Sequence, residues 1–394
     1  MGKIATVRAL LALALLSGSL YAQDEPFPIH DTRPVILNGP YLIAPSENGI
    51  SVVWTTDTPC HSKILVGTDR SLNQTTEPSE HGLIPVGTVH SVRLRELEPG
   101  QTYYFRAVST RVVKLKPYWP EKGLEVESPI FSFTLPDPSR SRVSFSFITD
   151  TQHEDLDRLK ANLDLVDWQG SDFLVHGGDA LSWVEGEEQL LSRFLDPIGT
   201  RLAHTRPLVF ARGNHDMRGA YARELYRYTP TATGKFYYAF TDGPVHMMVI
   251  DTGEDKADDT NVYARLNDFK TYREEELNWL EKHVKESRQL DEASFRIVVM
   301  HDPFWGWVDG ENDKWTELAN RAQVDLVIAG HHHRFSRIQP GERGNEYPIL
   351  VVGQDQVAKV EATRGELRVQ ITGKDGEEVD SFVLSPRTVE AAGR

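Results

Sequence analysis

Asp172-Phe-Leu-Val-His-Gly-Gly-Asp179 is a short apolar run broken by two glycines, with a carboxylate at its exit. Four other segments repeat the plan. Val143-Ser-Phe-Ser-Phe-Ile-Thr-Asp150 ends on an acid, and Leu208-Val-Phe-Ala-Arg-Gly-Asn214-His215-Asp216 on Asn, His and Asp. Phe295-Arg-Ile-Val-Val-Met-His301 ends on one imidazole, and Asp325-Leu-Val-Ile-Ala-Gly-His331-His-His333 on three. Apolar runs of this length, bounded by Gly or Pro, mark strands buried on both faces. Ligands gather at the carboxyl ends of such strands. Singly, each terminal residue is also what a helix cap, a turn or a satisfied core histidine supplies. Together, five strand ends carrying Asp, Asp, Asn-His, His and His-x-His point to one metal site.

Outward from these strands the chain divides. Residues 1–22 have a basic head (Lys3, Arg8), a short apolar core from Ala9 to Leu16 and small or polar residues up to Ala22. They read as a signal peptide cleaved after Ala22, which implies a secreted or periplasmic protein. No segment has enough uninterrupted apolar residues to span a membrane. Residues 23–32 read as a flexible lead. From 33 to 136 short alternating runs such as Ile50–Trp54 and Thr102–Val108 stand between Gly, Pro, Asn and Asp, the pattern of an all-β sandwich. Trp54 and the turn Leu97-Glu-Pro-Gly-Gln-Thr-Tyr103 resemble the core Trp and tyrosine corner of a fibronectin type III domain. Pro136–Arg142 reads as a linker, and from 143 to 385 strands alternate with helical stretches at 156–168, 186–195 and 272–284. Gly365–Gly373 and Glu378–Leu384 read as closing antiparallel strands.

The formal charge of −15, which becomes −17 once Lys3 and Arg8 leave with the signal, argues against general nucleic-acid binding. It is compatible with a phosphate substrate, because bound cations dominate the local field. The single cysteine, Cys60, has no partner for a disulfide and reads as a small buried residue.

The ordered set Asp150, Gly178-Asp179, Gly213-Asn214-His215-Asp216, His301 and Gly330-His331-His332-His333 resembles the calcineurin-like metallophosphoesterases. With a β-sandwich in front, the branch it is most similar to is the purple acid phosphatases and their bacterial relatives. The resemblance implies an αββα sandwich of two mixed sheets behind the N-terminal domain, and a pair of divalent or trivalent ions, Mn, Fe or Zn. One ion would take Asp150, His333 and a bridging Asp179. The second would share Asp179 and add Asn214, His301 and His331. His331 and His333, two apart in an extended segment, would point to one side and His332 away. A metal-activated hydroxide would attack phosphorus in line, and His215 would donate a hydrogen bond or proton, with Asp216 either orienting it or capping a helix. The implied substrate is a phosphate ester: a monoester is favoured, with a diester of a nucleotide or lipid head group as the alternative.

Two positions depart from the family pattern. Gln152 stands where many members have a ligating His, with His153 next to it, and Ser182-Trp183 stand where purple acid phosphatases carry a tyrosinate. An amide oxygen is a neutral, weak ligand, so Gln152 keeps open a third reading, a catalytically inactive surface-binding module. Trp305 in Pro303-Phe-Trp-Gly-Trp307 is a candidate wall for stacking a substrate or, equally, an aromatic plug over the core, and Arg334 a candidate phosphate contact or the partner of an acid. His176 reads as structural, Arg212 is undecided, and Glu254–Asp259 reads as a solvated acidic face.

Overall fold

The computed structural model describes residues 29–152, 156–202 and 204–387. The signal-like segment, most of the polar lead, His153 and the last seven residues lie outside the described residues. Two sheets dominate. In the first, strands run in the order Glu378–Leu384, Leu367–Gly373, Gln356–Thr363, Arg142–Ile148, Phe173–His176 and Leu208–Phe210. Arg142–Ile148, Phe173–His176 and Leu208–Phe210 are mutually parallel, and Gln356–Thr363 joins them antiparallel. The second orders Tyr238–Asp242, Val245–Val249, Phe295–Val299, Leu326–Ala329, Ile349–Val351 and Ser336–Ile338, with a parallel centre and antiparallel edges.

Alternation along each strand explains why the sheets stack. Val245, Met247 and Val249 enter one apolar core with Phe145, Phe173 and Val209 of the first sheet. Met248 and Ile250 point to the opposite face and pack with Leu280, Leu290, Trp315 and Leu318 of the covering helices. The helix Phe269–Glu286 buries Arg273, Glu276 and Leu280, one stripe at helical spacing. Its start is three residues earlier than the sequence periodicity suggests, because Asp258 accepts the N–H groups of Phe269 (3.0 Å) and Lys270 (2.9 Å). The stretch read as one helix at 186–195 is longer, with Glu187–Leu190, a π turn at Leu191–Leu195 and Asp196–Arg201.

Residues 36–134 are all strand and turn. The long strand Gly49–Gly67 pairs its first half with Ile36–Ser46 and Gly87–Leu94, and its second half with Thr102–Lys114 and Gln74–Thr76. Both halves enclose Trp54, Ile64, Val92, Phe105 and Phe133. Trp54 Nε1 donates to Ser109 Oγ (2.9 Å), and Tyr103 OH accepts the N–H of Glu98 (3.0 Å). Cys60 is buried, as read. Strand Ile36–Ser46 also pairs in parallel with Leu208–Phe210, through Ile43 and Leu208, so the N-terminal strands continue the first sheet.

His90 lies in this core between Thr56 Oγ1 (2.8 Å) and Ser62 Oγ (3.0 Å). Burial, with Arg227 nearby, depresses its folded pKa to about 4 from an ordinary 6.5. A base with a depressed folded pKa stabilises the fold fully above its unfolded value and less as pH falls from about 6.5 towards 4. Between pH 7.5 and 5 the expected loss is about 2 kcal/mol. Denaturant unfolding of His90→Gln, which cannot titrate, should show that much less acid sensitivity than the parent chain.

Candidate metal centre

The five strand exits meet at one end of the two-sheet stack. Asp150, Asp179 and Asn214–Asp216 leave the first sheet, and His301 and His331–His333 leave the second. The chain turns sharply at these points. Asp150, Asp179, His331 and His333 all have left-handed backbone, with φ of +53°, +53°, +69° and +60°. Such conformations are uncommon outside glycine and cluster where a site over-determines them. Gly178 (φ +93°) has no room for a side chain, since a Cβ would lie 2.6 Å from the Gly213 nitrogen. At Gly213 a Cβ would lie 2.3 Å from Asp179 Oδ1. The loops close on each other because these two residues are glycine.

The side chains form two groups around one shared carboxylate. Asp179, His301 and His331 bring one donor atom each within 4.8 Å of one another, and Asp150, Asp179 and His333 do the same. The two groups separate His331 from His333, and Asp179 belongs to both. The route differs from the expected one, however: 331–334 is a bend, not an extended run. His331 N donates to both Asp150 oxygens (3.2 and 3.0 Å), and His332 N to Gly330 O (2.8 Å). His332 is exposed.

Hydrogen bonds leave the donor atoms facing inward. His301 Nδ1 donates to Gly177 O (2.8 Å), so its Nε2 carries a lone pair. That Nε2 is buried, lies 3.2 Å from Asp179 Oδ2 and has no hydrogen-bond partner. A lone pair facing a carboxylate is repulsive unless a cation stands between them. Against the cost of burial, Asp179 and Asp150 push His301 up to about 10, which shows how strongly the two carboxylates favour positive charge at that place. Burial opposes ionisation of Asp179 too, but His301 and His215 hold it at about 2. Gln152 Oε1 and Asn214 Nδ2 are also buried and unpartnered. Gln152 Nε2 lies 3.2 Å from Asp179 Oδ2 and 3.3 Å from His333 Nε2, and an amide turned over presents its oxygen there instead. Asn214 Oδ1 lies 3.2 Å from His331 Nδ1. The orphaned His301 Nε2 and Gln152 Oε1, two groups sharing one carboxylate and a mixed N/O donor set fit a pair of first-row metal ions.

Beside the centre, His215 donates its backbone N–H to Asp179 Oδ1 (2.9 Å), and its Nδ1 bonds the Ser182 carbonyl (2.8 Å). Asp216 does not orient it. Its carboxylate accepts the backbone N–H groups of Asp179 (2.8 Å), Ala180 (3.0 Å), Leu181 (3.4 Å) and Gly213 (2.9 Å), and so ties two site loops together. Burial and the Asp179 charge nonetheless raise it to about 7.

Other expectations need correction. Trp305 is 1% exposed and donates Nε1 to the buried Glu276 (2.8 Å), so it is a core plug and has no face for a substrate. Trp307, 51% exposed, is the open ring of that segment. The acidic segment is not wholly solvated, since Glu254 is 3% exposed and paired with Arg218. Arg334 is exposed and has no ion pair among the described residues. Arg212 is resolved as structural, bonded to the buried Asp251 (2.6 Å) and stacked on Phe236 at 3.9 Å. His176 is structural as read, bonded to Thr151 and to the Gly178 N–H.

Sequence reasoning passed over Asp302 and Arg218. Asp302 Oδ2 lies 3.8 Å from His331 Nε2 and accepts Trp307 Nε1 (2.8 Å). Arg218 follows the 3₁₀ turn His215–Met217, which brings the residue at i+3 back over His215. An Arg three residues after a site His on a tight turn was the available signal.

The profile of the calcineurin-like phosphoesterases matches residues 143–335. Purple acid phosphatase 21 of Arabidopsis thaliana is 26% identical over 277 residues, which cover 64% of this chain and 54% of that protein. The chain thus spans about half the length of that relative. Among solved structures, the purple acid phosphatase PPD1 from yellow lupin (Lupinus luteus) seeds superposes with a TM-score of 0.61 at 17% identity, covering 90% of this chain and 74% of its own. PhoD superposes at 0.60 with 12% identity, covering 88% and 89%. At these identities the structural likeness is one of fold. Through residues 143–335 the chain belongs to the calcineurin-like phosphoesterases, and within them it is purple acid phosphatase-like.

Proposed function

We propose that this chain is an exported hydrolase of phosphate esters that works with two metal ions and favours monoesters. The observation that carries the reading is the His301 Nε2 lone pair set 3.2 Å from Asp179 Oδ2, where two donor groups share one carboxylate. Asp150, Gln152, His333 and Asp179 would hold one ion; Asp179, Asn214, His301 and His331 the other. Such a pair supplies positive charge to the phosphate oxygens and a strong nucleophile at neutral pH. The protein's own residues do the rest. Asp216 and the glycine contacts fix the loops, the Gly177 carbonyl fixes His301, and His215 handles a hydrogen bond or proton at the phosphate or leaving-group oxygen through Nε2, once a substrate oxygen displaces the Arg218 N–H that this nitrogen accepts at rest. The leading segment 1–22 supports export. The buried Trp54 and the Tyr103–Glu98 bond support a fibronectin type III-like domain over 33–136, ahead of the phosphoesterase domain over 143–385.

The test is hydrolysis of p-nitrophenyl phosphate and bis(p-nitrophenyl) phosphate under Mn, Zn and Fe. The monoester is expected to turn over faster. A faster diester moves the assignment to a phosphodiesterase, and no turnover under any ion supports the binding module. With Ser182-Trp183 in place of a tyrosinate ligand, the iron-loaded protein is expected to stay colourless, and a visible charge-transfer band would show that another tyrosinate reaches the iron.

A further inference from the structure

The geometry points to Arg218, held by Glu254, as the residue that positions His215; this rests on the reading of the site as a phosphoesterase centre. Arg218 Nη1 lies 3.2 Å from His215 Nε2. A guanidinium has only donors, so Nε2 accepts, and the bond from Nδ1 to Ser182 O (2.8 Å) is then an N–H donation. Both ring nitrogens are fixed before a substrate arrives, which is preorganisation of a group that acts at one atom.

The guanidinium is itself clamped. Its Nε donates to Glu254 Oε1 (2.9 Å) and Nη2 to Glu254 Oε2 (2.7 Å), a two-pronged pairing, with Asp255 Oδ1 also on Nη2 at 2.8 Å. Glu254 is 3% exposed and accepts a further bond from Tyr263 OH (2.8 Å). The edge left over, Nη1, is the one aimed at His215. A surface ion pair would need neither the buried acid nor the tyrosine behind it. The segment 254–263 therefore acts on the centre through one arginine.

Arg218→Lys keeps a cation beside Glu254 but cannot span Glu254 and His215 at once. It is expected to lower kcat about 10-fold, with KM within about twofold and metal content unchanged. In a His215→Ala background the same substitution should cost nothing further, because a positioning residue acts through the ring it holds. An equal loss in both backgrounds, or wild-type kcat in Arg218→Lys, would overturn the proposal. A second readout does not need turnover. In ¹⁵N-histidine NMR of the zinc-loaded chain, with His215→Ala assigning the signal, the His215 Nε2 resonance should move in Arg218→Lys as the accepted N–H is lost; an unmoved resonance also overturns it. If the unaltered chain hydrolyses no ester, the phosphoesterase reading fails by itself, and the NMR shift still decides the role of Arg218.

Discussion

Asp179→Asn is expected to strip the centre of both ions and to lower ester hydrolysis at least about 1000-fold, equivalent to roughly 4 kcal/mol in the barrier. Asp179 is the one residue common to the two donor groups. Its Oδ2 stands 3.2 Å from both His301 Nε2 and Gln152 Nε2, while Oδ1 accepts the His215 N–H at 2.9 Å. An amide of the same shape keeps one acceptor oxygen for that N–H and loses the charge that offsets two cations. The fold should survive, because the loops are tied by Asp216 through backbone groups that Asn leaves untouched. Metal analysis alongside thermal unfolding checks this, and retained turnover would overturn the assignment of the site.

His215→Ala is the complementary case, with metals kept and rate lost. The ring belongs to neither donor group, and the backbone N–H that reaches Asp179 is present in alanine as well. What disappears is the imidazole fixed between Ser182 O and Arg218. Loss of a positioned proton-handling group is expected to cost about 100- to 1000-fold in kcat. Two ions per chain with that loss separates the role of His215 from that of the ligands. An unchanged rate rules out a part for it in the reaction.

The strand exits were legible because each combines two independent signals, a buried apolar run and a chemically unusual residue at its end. The two-sheet plan comes from the family resemblance and not from the runs themselves, and the sharing of the exits, three from one sheet and two from the other, is seen only in the structure. The strand Gln356–Thr363 escaped notice, though it pairs with one edge of Arg142–Ile148, antiparallel. Its Ala, Lys and Glu content suits a helix as well as a strand, and its outward charges pair with Asp167 (on Lys359), with Arg142 (on Glu361) and with each other. The triple histidine divides His331 and His333 between two groups of donor atoms, but not by the expected path. Alternation in an extended segment was the argument, whereas a bend held by the Asp150 carboxylate does the sorting. Trp305 misled because its partner, Glu276, is a buried acid on a helix that precedes it by 29 positions, and no local pattern reveals a buried acid. The pairing of Arg218 with Glu254 was invisible for the same reason: they lie 36 positions apart, and only the fold brings them together.

The most direct test of the central claim is the metal stoichiometry of the full chain, taken by elemental analysis on samples whose phosphomonoester turnover is measured in parallel. Two ions per chain, with turnover that vanishes on chelation and returns on reloading, is the result the account predicts. One ion or none, with no turnover under Mn, Zn or Fe, would contradict it and leave Gln152 as the ligand that fails to complete the centre.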